Sequence, residues 1–237
     1  TEVAKQDVRQ VYSNIVAMDE QVGKILDELE QDGLLESTVI FWFSDHGGPL
    51  PRQKRLLYDS GLRVPMIIRY PDQWRAGERD DQLISFVDFK STALSLAGIE
   101  PPDYVDGRAF AGKFQSSESR RYVHAAADRF DRQYDTIRAV RDERFKYLRN
   151  YYPERGYYLP LTYREQMPIM QELLFLRDQG KLKEAQSQWF RESKPLEELF
   201  DTRTDPHELH DLAHDPAYSD KLLELRAELD SWLSGFE

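Results

Sequence analysis

Apolar residues fall at Val8, Val11, Tyr12, Ile15, Val16, Val22, Ile25, Leu26 and Leu29. Gaps of three and four place them on one stripe of a long helix, and Gly33 follows as a natural C-terminal cap. The pattern then changes. Residues 38–43 are a run of β-branched and aromatic side chains without alternation, which predicts a short strand buried on both faces, as in a parallel sheet covered by helices. Residues 64–69 predict a second such strand, with Pro65 at its start or at a sheet edge because proline has no N–H for the ladder. Residues 86–97 return to helical spacing, closed by Gly98 and stopped by Pro101-Pro102. Helix, strand, loop, strand, helix predicts an α/β sandwich.

Beyond about Gly112 the texture differs. Polar residues 113–121 read as a connection, and residues 122–127, 136–141 and 145–149 as short antiparallel strands joined by charged turns. A tyrosine-rich irregular stretch over 150–167 precedes a helical region over 168–190. A last strand at 198–201 and a terminal helix over 220–232, bearing Leu222, Leu223, Leu225, Leu229 and Trp232, complete the chain. The expected organisation is therefore residues 1–115 as the later part of an α/β catalytic domain, and residues 116–237 as a small α+β C-terminal subdomain with an antiparallel sheet.

Composition narrows the function. Hydrophobic residues make up 40% of the 237, enough for a core, and 32 basic against 43 acidic groups give a net charge of -11. That balance argues against general affinity for nucleic acid but leaves room for a local anion site. No stretch approaches the roughly 18 apolar residues of a membrane span. The absence of cysteine excludes a disulfide framework and thiolate metal sites. The chain starts at Thr1, directly before its first helix, so a further N-terminal part of the protein is expected.

The candidate chemistry lies after the first strand, in Ser44-Asp45-His46-Gly47-Gly48. In an open α/β sheet the carboxyl ends of strands are where ligands bind. Asp45 offers oxygen to a hard cation, His46 an imidazole nitrogen, and the glycines admit a close backbone. Taken alone, the run equally suits a turn with an Asx cap. Lys54, Tyr58, Asp59, Gly61, Arg63, Val64 and Pro65 then follow in register.

With those residues the chain resembles the sulfatase family, in which a strand ends in Ser-Asp-(Asn or His)-Gly and a Lys precedes a Tyr-Glu-Gly-Gly-(Ile/Val)-Arg-(Val/Glu)-Pro run. The likeness continues through Leu83 to Asp88, Leu96-Ala97-Gly98, Asp106-Gly107, Arg138 to Arg141, Glu198 to Asp201, Asp205-Pro206, Glu208 and Asp211-Leu212-Ala213. Carried over by position, it implies that Asp45 and His46 are ligands of one divalent cation, usually calcium, and that Lys54 is the catalytic lysine that neutralises a sulfate oxygen. Metal and lysine together suit the charge that builds as a sulfate ester breaks. Arg55 is a second candidate anion contact, with a surface charge as the plainer reading. Two departures stand out. Asp59 and Ser60 replace the usual Glu and Gly, and the nitrogen ligand at His46 leaves room for a metal other than calcium.

The family's nucleophile, a formylglycine made within Cys/Ser-x-Pro-x-Arg, has no counterpart here: Ser193-Lys194-Pro195 continues with Leu and Glu. The resemblance thus implies half a site, with formylglycine in an N-terminal part outside this chain, acting on a sulfate ester or sulfamate of a small molecule or glycan in the periplasm or outside the cell. A phosphatase or phosphonate/phosphodiester hydrolase of the same superfamily, and a catalytically dead glycan-binding relative, are the alternatives.

Several other residues invite a role. His124 and Arg129, in the run His-Ala-Ala-Ala-Asp-Arg, are candidate substrate contacts, against a structural histidine and an Asp128–Arg129 pair. The tyrosines at 151, 152, 157, 158 and 163 suit either sugar faces or a loop packed by its own rings. His207, His210 and His214 have metal-like spacing, but they lie in the terminal turn that resembles the family's and are read as part of it.

Overall fold

The first helix, α1 (Glu2–Gln31), is capped at its start by Thr1, whose Oγ1 accepts the Ala4 N–H at 3.1 Å. It ends where Gly33 turns left-handed at φ 69°. The protein is described by a computed structural model covering residues 1–130 and 132–235. The helical stripe is present but only partly covered: no residue of α1 is fully buried, Val8, Val11, Val22, Leu26 and Leu29 are half-buried, and Tyr12, Val16 and Ile25 are 67%, 59% and 57% exposed.

Strands β1 (Ile40–Phe43) and β2 (Met66–Arg69) form a two-stranded sheet, joined by the segment that contains the short helix α2 (Asp59–Leu62). The pair is antiparallel, with Phe41 opposite Ile68 and Phe43 opposite Met66, which corrects the expected parallel arrangement. A run without alternation says that both faces of a strand want cover; it carries no information about the direction of the neighbour. Nor are both faces covered. One packs on α3 (Asp88–Leu96), with the Phe43 and Phe89 rings edge to face at 4.8 Å, whereas Ile67 on the other is 63% exposed.

The buried side of α3 is polar. Ser91 Oγ donates to Gly107 O (2.7 Å), while Thr92 Oγ1 and Ser95 Oγ accept the N–H groups of Phe110 (3.1 Å) and Phe114 (2.8 Å). Asp88 accepts from the N–H groups of Ser85 and Arg108 and pairs with Arg120. The connection over 113–121 is therefore fastened to α3, since a buried loop must place its backbone donors somewhere.

Strands β3 (Val123–Phe130), β4 (Gln133–Arg141), β5 (Phe145–Asn150) and β6 (Glu197–Asp201) form an antiparallel sheet in sequence order. Its two faces have different partners. Val140, Phe145, Tyr147 and Leu199 pack on the terminal helix α7 (Ser219–Ser234) through Leu225 and Leu229. Both leucines are fully buried, each worth about 2 kcal/mol relative to water. Ile137, Ala139, Leu148 and Phe200 face the other way, onto Leu57 and Tyr58 of the segment between β1 and β2. A short helix, α4 (Thr162–Glu165), falls inside the tyrosine-rich stretch, and the helical region that follows is divided into α5 (Pro168–Asp178) and α6 (Glu184–Ser187), not one helix, because Gly180 at φ 62° ends α5. The start of α5 docks on α1, where Asp7 Oδ2 accepts the Ile169 N–H at 2.8 Å.

Candidate functional site

Strand β1 delivers Asp45 and His46 to its carboxyl end in a tight turn, in which Ser44 Oγ donates to His46 O at 2.7 Å. His46 Nδ1 lies 2.8 Å from Gly47 O. A carbonyl can only accept, so Nδ1 is the donor of that bond. Nε2 lies 3.4 Å from Asp45 Oδ2, so the imidazole and the carboxylate converge on one point. Both side chains open outward, at 80% exposure for Asp45 and 37% for His46.

Glycines bring the neighbouring segment into contact. Gly47 N–H donates to Gly61 O at 2.9 Å, and a Cβ on Gly47 would stand 1.8 Å from Ser60 O. A Cβ on Gly61 would stand 2.2 Å from Leu56 O. Backbone thus lies against backbone, and Lys54 N–H donates to Gly48 O at 3.1 Å. Lys54 is half-buried, and none of the described residues pairs with its ammonium.

The structure brings Asp45, His46 and Lys54 into one loop cluster; it places the remaining candidates elsewhere. The Arg55 guanidinium lies 5.2 Å over the Tyr163 ring and lines a pocket with Tyr58, Asp135, Tyr157 and Arg164. His124, opposite Val140, is on the α7 face of the large sheet, away from the face that meets Leu57. Its ring stacks on Trp232 at 4.8 Å and its Nε2 meets Glu228 Oε1 at 3.1 Å. Burial holds the His124 pKa below its ordinary value, against the pull of Glu228. Arg129 is exposed over the Tyr134 ring at 4.9 Å, and Asp128 pairs across the strand with Arg138 at 2.8 Å, in place of the expected Asp128–Arg129 pair.

The tyrosine stretch divides. Tyr157 and Tyr58 donate to the buried Glu198 carboxylate at 2.8 and 3.2 Å, and Asn150 Nδ2 donates at 2.9 Å. Burial holds the Glu198 carboxyl above the usual range in spite of these donors. Tyr151, Tyr152 and Tyr163 are at least 40% exposed.

Sequence reasoning missed the residues that hold the lysine segment in place: Arg52, Asp59, Lys146 and Glu208. Asp205-Pro206 and Glu208 stood in a recognisable pattern, but nothing local in the sequence pairs them with Arg52. As metal donors, Asp45 and His46 fit a divalent cation, one hard oxygen beside one imidazole nitrogen with its other nitrogen tied to a carbonyl. Among the described residues no group of three or more His, Cys, Asp or Glu side chains is placed to hold a metal ion, so Asp45 and His46 by themselves would make only part of a coordination sphere.

Comparison with known proteins matches the description "Sulfatase" over residues 1–99 and "N-sulphoglucosamine sulphohydrolase, C-terminal" over residues 52–168. An ulvan-active sulfatase from Formosa agariphila is 60% identical over 99% of this chain, which spans 39% of that relative's length. Among solved structures, a 2-O GAG sulfatase superposes over 92% of this chain and 40% of its own with a TM-score of 0.66 and 23% identity. The phosphonate monoester hydrolase of Agrobacterium radiobacter superposes over 93% and 40% with a TM-score of 0.64 and 20% identity. The two structures share the fold with this chain, and the fold alone does not choose between sulfur and phosphorus.

Proposed function

This chain belongs to the sulfatase family, and we propose that it supplies the metal and lysine side of a site that hydrolyses sulfate esters or sulfamates on carbohydrates. The observation that carries the reading is the meeting of Asp45 Oδ2 and His46 Nε2 at 3.4 Å, on a turn bonded to the segment that presents Lys54. Asp45 and His46 would hold a divalent cation, calcium being the family's usual choice, which would supply positive charge to the sulfate oxygens. Lys54 donates to a peripheral sulfate oxygen and stabilises the charge that grows there as the ester bond lengthens. Its lack of a partner among the described residues leaves the ammonium available for that contact.

The nucleophile, a formylglycine in this reading, belongs to a segment outside the chain. Two observations support such a segment: the relative extends well beyond the match, of which this chain spans 39%, and α1 and the outer face of β2 expose apolar side chains that want cover. A sulfated glycan is the substrate class, consistent with the ulvan-active relative. A polymer of that kind is met outside the cytoplasm, so the periplasm or the exterior is where the intact protein works.

Release of inorganic sulfate from ulvan oligosaccharides by the intact protein tests this, beside a Lys54→Ala variant and a matched phosphate ester. Sulfate release that falls about 100-fold or more in Lys54→Ala is expected, the loss typical of one electrostatic donor. Preferred release of phosphate, or no turnover of either ester, would overturn the reading.

A further inference from the structure

The backbone around Lys54 is held, not relaxed. Arg52 and Arg55 take φ 62° and 76°, left-handed conformations that a non-glycine residue keeps only where its surroundings over-determine them. At Arg52 the surroundings come from the turn that follows β6. Its Nη1 donates to His207 O at 2.7 Å and its Nη2 to Glu208 O at 2.8 Å, with the guanidinium 4.1 Å over the Tyr58 ring.

Glu208, itself at φ 53° and buried, also reaches the other end of the segment. Its Oε2 accepts the Asp59 N–H at 2.6 Å, and its Oε1 lies 2.9 Å from Lys146 Nζ. Lys146, on β5 and 1% exposed, stands 2.5 Å from Asp59 Oδ1 and donates to Leu57 O at 3.1 Å. Arg141 Nε, 3.3 Å from Asp59 Oδ1, balances the charges at two carboxylates and two cations. Burial pushes the Glu208 carboxyl up, partly offset by Lys146. In Asp59 the same upward push is outweighed by Lys146 and Arg141, which hold it below the usual carboxylate range. One residue thus grips both ends of the segment, Arg52 through its carbonyl and Asp59 through its carboxylate.

We propose that Glu208, acting with Arg52, is a positioning residue for Lys54: the turn at 205–208 fixes where the ammonium stands relative to Asp45 and His46. The proposal rests on the sulfatase reading of that site and extends it by giving the C-terminal sheet a part in the reaction. Coupling runs through backbone, because Lys54 N–H meets Gly48 O and Gly47 N–H meets Gly61 O.

The test uses the intact protein with Arg52→Met and Glu208→Gln, each read by amide hydrogen exchange and by sulfate release. Exchange over 53–62 should quicken about tenfold or more while β5 and α7 stay as in the parent, as local opening requires. The kcat should fall about 10- to 100-fold, the scale of loss for a reacting group displaced by roughly 1 Å. In a Lys54→Ala background the same substitutions should cost less than about twofold, because effects that act through one group do not add. Arg52→Met leaves Asp59, Arg141, Lys146 and Glu208 in place, so it reads the proposal even where Glu208→Gln fails to fold.

Unchanged exchange over 53–62 in Arg52→Met overturns the clamp. An equal loss of kcat with and without Lys54 overturns the positioning role. A parent that releases no sulfate sinks the hydrolase reading instead, and the exchange result then decides the clamp by itself.

Discussion

Gly47 has no room for a methyl group: an added Cβ would stand 1.8 Å from the Ser60 carbonyl oxygen, a backbone atom that cannot swing aside. Gly47→Ala should therefore push the turn that carries Asp45 and His46 off the 53–61 segment. We expect a loss of about 1–3 kcal/mol, the usual cost of overpacking, read from the urea midpoint of the intact protein, together with loss of sulfate release. Stability unchanged within error would show that the close backbone approach is not needed. The motif that contains this glycine was legible because its residue types are required locally. His124 and Arg129 show the opposite case. Alternation in β3 turns His124 towards Trp232 and α7, and a strand's register cannot be read from its own residues. Glu208 was legible as part of a pattern but not as a contact of Arg52, which lies far from it in sequence.

At the scale of elements, the strands and most helices follow from hydrophobic spacing, whereas the pairing direction of β1 and β2 does not, for the reason given by their uniform apolar runs. The turn after β6 is built on Asp201. Arg144 donates to it from Nε at 3.0 and 3.1 Å and from Nη2 at 2.6 Å, and this hydrogen bonding, opposed by burial, lowers the Asp201 pKa to about 2. Because the folded value lies below the ordinary 3.8, the native state binds fewer protons than the unfolded chain between those values. The pair's stabilisation is therefore full above about pH 4 and is lost as pH falls towards 2. Asp201→Asn should lower stability at neutral pH, with the gap to the parent closing on acidification. A gap that stays constant from pH 7 to pH 3 would contradict this assignment.

At the scale of the whole molecule, the segment between β1 and β2 joins the small sheet to the large one. Leu57 and Tyr58 pack on the inner face of the four-stranded sheet, while the same stretch carries Lys54 to the turn after β1. Covered and uncovered surfaces divide in a corresponding way: the C-terminal sheet has α7 on one face and the lysine segment on the other, yet Tyr12, Ile15, Val16 and Ile25 of the α1 stripe stay exposed. Periodicity made that stripe visible from the sequence; what covers it was not, because an amphipathic pattern specifies a need for burial without naming the partner. We propose that Asp45, His46 and Lys54 together form the metal and lysine half of a sulfuryl-transfer site. Sulfate release by the chelator-treated intact protein, titrated with calcium beside Asp45→Asn, tests it most directly. Turnover is expected to be lost on chelation and to return with calcium in the parent, and Asp45→Asn is expected to need about 10- to 100-fold more calcium to recover, as loss of a charged oxygen ligand implies. Turnover that survives chelation, or an Asp45→Asn titration that overlays the parent's, would contradict it.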